Sequence, residues 1–313
     1  MKLLENFDDE RIVNFRQFVE REYDDMPFVW PGFPLGVVGS LVAAGGTGKS
    51  FYALQKGLTV ALGRDEVTRG AVLYLPAEDP LIEIGKRLKV ISKVLRFTDA
   101  EIEQAAQNFH VWSLLGRSPD LLQEEKNLLV FKENLRIAIE TLKGKDRFRL
   151  IIFDTLRRFH YSDENDGGAM AKVLSVMEQI CQEYQLSCLF LHHTSKAAAL
   201  GGQADVQQAS RGSSVLVDNI RYQEFLAPMS KEEAEKLAWY SPDAQKFIDI
   251  GDDDRSYFVR WGVSKQNYGF PVNEVWLTRE SGVLVPCRIE KRKKDKGNDN
   301  GNGNGKKRGG YEE

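Results

Sequence analysis

The stretch Ala43-Ala44-Gly45-Gly46-Thr47-Gly48-Lys49-Ser50 leaves little freedom to the fold around it. An apolar run over 36–43 precedes it and a helical pattern over 50–61 follows, so a glycine-rich turn joins a strand to a helix. Such a turn aims backbone N–H groups and the positive end of the helix at one point, where phosphates are held. This is the P-loop arrangement, and it implies ATP and Mg²⁺. Lys49 is expected at the β- and γ-phosphates and the Ser50 hydroxyl at the metal, with Gly45, Gly46, Thr47 and Gly48 completing the cradle. One position departs from the motif: Ala43 stands where a Gly is usual, six residues before the Lys. Gly45, Gly46 and Gly48 still supply positions at which a side chain would crowd the phosphates.

Two further apolar runs end in carboxylates. Residues 70–79 read as a buried strand finishing in Glu78 and Asp79, with Asp79-Pro80 opening a helix over 81–94. Parallel strands deliver their chemistry at their C-terminal ends, so Glu78 is placed to activate a water against the γ-phosphate; the plainer reading leaves it a surface charge beside a helix start. Arg87 is expected on the solvent face of that helix. Residues 149–155 give an apolar run closed by Asp154, the pattern of a strand that hands a carboxylate to the Mg²⁺ shell. Residues 187–193 form another buried strand ending in His192-His193, and His193 is either a γ-phosphate sensor or a structural histidine.

Between these strands lie segments without periodicity. The loop over 156–168 carries Arg157, Arg158 and His160, and the small-residue loop over 194–214 carries Lys196 and Arg211; long loops at such an edge often serve function. Residues 215–221 read as a strand presenting Arg221, which is either an internal salt-bridge partner or an arginine acting on another copy's nucleotide. A short helix over 229–239 precedes strands over 257–265, 275–278 and 282–285, an antiparallel extension in which Lys265 also ends a strand.

Composition sets the outer limits. The 313 residues are 42% hydrophobic and 28% charged, enough for one large globular domain with appendages. No apolar run approaches the roughly 20 residues that cross a bilayer, so no membrane partner and a cytoplasmic location are expected. Cys181, Cys188 and Cys287 lack metal-ligand spacing and read as buried thiols. The formal net charge of −3 argues against a uniformly basic nucleic-acid coat. Three regions follow: a helical arm over 1–26, in which Ile12, Val13, Phe15, Phe18 and Val19 pack on the domain; a core over 27–289; and a disordered basic Gly/Asn-rich tail over 290–313, serving nucleic-acid attraction or solubility.

Leu75-Pro76-Ala77-Glu78-Asp79-Pro80, Asp154-Thr155-Leu156-Arg157-Arg158-Phe159-His160, Leu191-His192-His193, Ala209 through Arg221 and Val263-Ser264-Lys265-Gln266-Asn267-Tyr268-Gly269 together resemble the RepA-type hexameric replicative helicases of broad-host-range plasmids. The similarity runs from about Phe28 to Pro286. It implies an α/β fold: a RecA-like P-loop ATPase core with a mostly parallel sheet flanked by helices and an antiparallel C-terminal extension. It also implies a homohexameric ring, single-stranded DNA in the pore, and a replication initiator or primase as partner. By the same resemblance Lys49, Ser50, Glu78, Asp154 and His193 act on one subunit's ATP and Arg221 on the neighbour's, with DNA at the loops over 157–168 and 194–212. The competing readings are a nucleotide-switched DNA-binding regulator without unwinding activity and a recombinase-like filament protein.

Overall fold

The computed structural model describes residues 15–65, 67–116, 125–142, 146–159, 167–193, 214–269 and 271–292. After helix α1 (Phe15–Glu20), the hairpin β1 (Phe28–Trp30) and β2 (Phe33–Pro34) leads into β3 (Val38–Ala43) and helix α2 (Lys49–Leu62). Next come β4 (Ala71–Pro76), helices α3 (Leu81–Val94) and α4 (Asp99–Asn108), the short strand β5 (Phe109–Val111) and helix α5 (Glu125–Thr141). Strand β6 (Phe148–Asp154), helix α6 (Gly167–Tyr184), β7 (Ser187–His193), helix α7 (Ser214–Asn219) and β8 (Tyr222–Pro228) follow. The C-terminal part holds helix α8 (Lys231–Lys236) and strands β9 (Leu237–Ser241), β10 (Lys246–Asp249), β11 (Phe258–Gln266), β12 (Val275–Glu280), β13 (Val283–Pro286) and β14 (Ile289–Lys291).

Nine of these strands make one sheet in the order β13-β12-β11-β8-β3-β7-β6-β4-β5. From β8 to β5 every pairing is parallel, whereas β8-β11-β12-β13 run antiparallel. Strands β3, β4, β6 and β7 are buried along nearly their whole length because helices cover both faces, and therefore their sequences are continuous apolar runs. Side-chain alternation splits the core in two. Val72, Tyr74, Leu150 and Ile152 pack toward Leu54, Leu58 and Ala61 of α2, while Leu73, Leu75, Ile151 and Phe153 pack toward Phe131 of α5 and Met170, Val173 and Met177 of α6. The expected α/β architecture with an antiparallel C-terminal extension is the one observed.

Several local expectations differ from the structure. Residues 214–219 form helix α7, not a strand. Leu216 and Ile220, four apart, are both buried in the cluster that includes α6, and a short Val-Leu-Val run carries no period that separates the two states. Helix α4 adds to the expected elements, and Thr98 and Glu101 close a reciprocal capping box at its start. In place of a helix over 229–239, Ser230 and Glu233 cap the short α8, and the chain turns at once into β9, part of a small β10-β9-β14 sheet. Ordered chain also runs past 289, since Ile289, Glu290 and Lys291 pair with β9 and Arg292 donates to the Ala234, Leu237 and Ile250 carbonyls. The arm does not pack on the domain where it is described: Phe15 is 83%, Phe18 52% and Val19 66% exposed. Ile12, Val13, His160, Lys196, Arg211 and the tail from 293 lie outside the described residues.

Helix α2 lies so close to the sheet that Gly57 has no room for a side chain: a Cβ there would sit 2.7 Å from Phe109 and 3.2 Å from Ile152. Gly57→Val gains a few tenths of a kcal/mol of helix propensity but is expected to lose about 2–3 kcal/mol through overpacking, read as a lowered urea midpoint at unchanged m-value.

Candidate active site

The register of the parallel strands brings the candidate residues together. Ala43 is paired with His193 and Pro76 with Asp154, so the chain leaves β3, β4, β6 and β7 at one sheet edge. At the end of β3, Gly46 and Gly48 take positive φ values of 74° and 100°, which turn the backbone into the first residue of α2. Ala43 is tolerated in place of Gly because it is the last residue of β3, in extended backbone with its methyl group in the core. Gly45 and Gly46 face open space within 4 Å, whereas a Cβ on Gly48 would meet the Arg279 guanidinium at 2.9 Å; protein packing, as well as phosphate, sets that glycine.

Lys49 is buried. Its Nζ donates to the carbonyls of Ala43 (2.9 Å) and Ala44 (3.2 Å) and lies 3.2 Å from His193 Nδ1. Burial lowers its pKa to about 8, although the carboxylates of Asp154 and Glu78 pull it upward. Asp154 accepts hydrogen bonds from the Tyr74 hydroxyl and from Ser50. Burial raises its pKa, those two hydrogen bonds oppose the rise, and the negative charges of Asp79 and Glu78 add to it. Glu78, just past β4, accepts from Thr155 Oγ1 at 2.9 Å and pairs with Arg158 at 3.4 Å. These groups, with Gly46, Gly48, Phe51 and Arg87, line a cavity of about 280 Å³.

The arrangement fits the implied ligands. Ser50 and Asp154 offer hard oxygen donors close enough to bond one another, in a cluster of carboxylates whose mutual repulsion a cation relieves; Mg²⁺ characteristically takes few protein oxygens together with water and phosphate oxygens. The buried Thr47 hydroxyl has no hydrogen-bond partner among the described residues, an orphaned polar group within the P-loop.

Arg87 corrects an expectation: it turns inward to the cavity, pairs with Asp79 at 2.5 Å and lies 5.6 Å from the Phe51 ring centre. Tyr74, Thr155 and Arg279 are site residues that sequence reasoning misses. Tyr74 is hidden in an apolar run, and Arg279 lies over two hundred residues from the loop it touches. For Thr155, its position directly after the Walker-type Asp154 is the available signal. Arg221 is not with the others. Its N–H donates to Val38 O at the start of β3, and Tyr222 pairs with Gly39, so it sits at the opposite sheet edge. About 16 Å of strand separates it from its own P-loop. Lys265 shares that edge and donates to the Val217 and Asp218 carbonyls.

The lowered Lys49 pKa has a signed consequence. Below about pH 8 the folded chain holds a charged, poorly solvated ammonium; between about 8 and 10.5 the unfolded chain binds the extra proton, so stability rises with pH. Urea unfolding of ligand-free wild type and Lys49→Met is expected to show wild type gaining up to about 3 kcal/mol on the variant between pH 7 and pH 10.5. A gap independent of pH would place the ammonium in solvent.

Comparisons with known proteins agree with this geometry. The profile of an AAA domain family (AAA_25) matches residues 13–199, more than half of the chain. The solved structure of a helicase ATPase domain superposes with a TM-score of 0.56 at 16% identity, covering 88% of this chain and 97% of that one. A KaiC-like protein from the hyperthermophilic archaeon Pyrococcus horikoshii OT3 superposes with a TM-score of 0.51 at 11% identity, covering 82% and 91%. With the strand-loop-helix cradle, the buried lysine and the carboxylates of one sheet edge, these matches show that the chain belongs to the AAA domain family and carries a RecA-like P-loop ATPase fold.

Proposed function

We propose that the protein is an ATP-driven DNA helicase, a homohexameric ring that moves along single-stranded DNA during plasmid or mobile-element replication. The observation that carries this reading is the position of Arg221. It is exposed, at the sheet edge opposite its own P-loop, and is therefore available to a second copy and not to its own nucleotide. A head-to-tail assembly puts such an edge against the next subunit's P-loop, and a closed rotation makes it a ring. The RepA-type resemblance of the motifs around Glu78, Asp154, His193, Arg221 and Lys265 supports the same assignment.

In this mechanism the P-loop N–H groups and Lys49 bind the phosphates, Ser50 and Asp154 hold Mg²⁺, and Glu78 takes the proton of the attacking water. His193, hydrogen-bonded to Lys49, senses loss of the γ-phosphate, while Arg221 stabilises the transition-state charge from the neighbouring subunit. Arg158 ties the segment after β6 to Glu78, which gives DNA bound near that segment a route to hydrolysis.

Glu78→Gln is expected to cut the ATP turnover number by at least 100-fold while fluorescent ATP still binds; near-normal turnover would remove Glu78 from the role of base. The whole reading is tested by strand displacement on forked DNA with 5′, 3′ or both tails, at fixed total protein, as Arg221→Ala progressively replaces wild type, with Lys49→Ala as the inactive control. Unwinding that requires Lys49 and falls more steeply than linear dilution is expected. Linear dilution would sink action between subunits, and ATP hydrolysis without displacement on any fork would favour a nucleotide-switched regulator.

A further inference from the structure

The C-terminal hairpin β12–β13 is fastened along the P-loop and the start of α2 at three successive points. Arg279 of β12 donates from Nη2 to Thr47 O at 2.7 Å, inside the loop itself. At the hairpin turn Gly282, at φ 93°, lies against the Phe51 ring, where a Cβ would come within 3.0 Å. One helical turn further on, the Gln55 amide exchanges two hydrogen bonds of 2.9 Å with the backbone of Leu284, the residue paired with Arg279 across the hairpin. The guanidinium is held from its other side by Nε donating to Ser256 O at 3.2 Å.

Its partners are carbonyls alone. Among the described residues no carboxylate forms an ion pair with Arg279, and burial, without an opposing acidic neighbour, lowers its pKa. A half-buried arginine normally neutralises its charge against an acid, because carbonyls satisfy its N–H groups and leave its charge uncompensated. Here that charge stands against the backbone of Thr47 and Gly48, one peptide unit from Lys49. The groups that complement it are the phosphates the loop is built to receive.

We propose that Arg279 is a positioning residue of the nucleotide site: it clamps the P-loop at Thr47 in its phosphate-binding conformation and adds a second positive charge, behind Lys49, for the polyphosphate. This rests on the ATP-site reading above. The antiparallel extension is on this account a working wall of the site, and the 275–286 hairpin does more there than finish the sheet.

The test compares wild type with Arg279→Gln and Arg279→Lys, measuring equilibrium binding of ATP, ADP, AMP and adenosine, steady-state ATP hydrolysis and thermal midpoint. Arg279→Gln is expected to weaken ATP about 10-fold or more, ADP less and AMP least, leaving adenosine and the midpoint nearly unchanged. In hydrolysis KM should rise with kcat within about threefold of wild type, and Arg279→Lys, which keeps the charge, should recover part of the ATP affinity. Equal weakening of all four ligands with a lowered midpoint would show a merely structural residue, and unchanged ATP binding would show that the clamp is idle; either overturns the inference. Wild type that binds none of the nucleotides would instead fail the ATP-site reading itself.

Discussion

Lys49 carries an ammonium into a place where burial opposes its charge, and the neighbouring architecture is arranged to hold it there. Two carbonyls from the end of β3 take its protons, His193 faces it from the adjacent strand, and Asp154 and Glu78 supply negative potential. None of these groups reaches it unless β3, β7, β6 and β4 stop at the same edge, which their pairing register enforces. A slip of one residue in the β3–β7 pairing would turn the side chains of one strand to the wrong face, so the sheet core and the site are specified together. The same burial makes the ligand-free site costly, as expected where binding residues are placed for a charged ligand that supplies the missing solvation.

How much of this is legible in sequence depends on how local the determinant is. The P-loop, helix α3 over 81–94, the strand ends at Glu78, Asp154 and His193, and the antiparallel extension all follow from short patterns of apolar residues, glycines and terminal carboxylates. The element around Leu216 departs from its expected state because its six residues hold less than two helical turns, too short for a period to declare itself. The capping box at Thr98 and Glu101 is present in the sequence, but the weakly apolar helix behind it gives it no stripe to announce.

The site residues that sequence does not single out share one property: their role is made by tertiary contact. Tyr74 looks like any aromatic in a buried strand until its hydroxyl is found on Asp154. Arg87 belongs to an amphipathic helix, and only the Asp79 pair and the Phe51 ring turn it toward the cavity. Arg279 is separated from Thr47 by more than two hundred positions, and no spacing rule connects them.

The sheet also separates two kinds of chemistry by its strand length. Residues at the C-terminal edge of β3 meet a nucleotide bound to their own chain, whereas Arg221 and Lys265 are held at the N-terminal edge, one strand length away. Few contacts hold them: Lys265 donates to the Val217 and Asp218 carbonyls at the end of α7, and the backbone of Arg221 bonds both Val38 and Asn267. Such contacts fix where the two cations emerge while leaving the Arg221 side chain exposed. On the proposed reading, six residues of β3 are therefore the spacer between what a subunit binds and what it offers to the next. A change in the P-loop at one end of that strand has a stiff, fully buried path to the other, and that path would couple neighbouring sites without any loop moving in between.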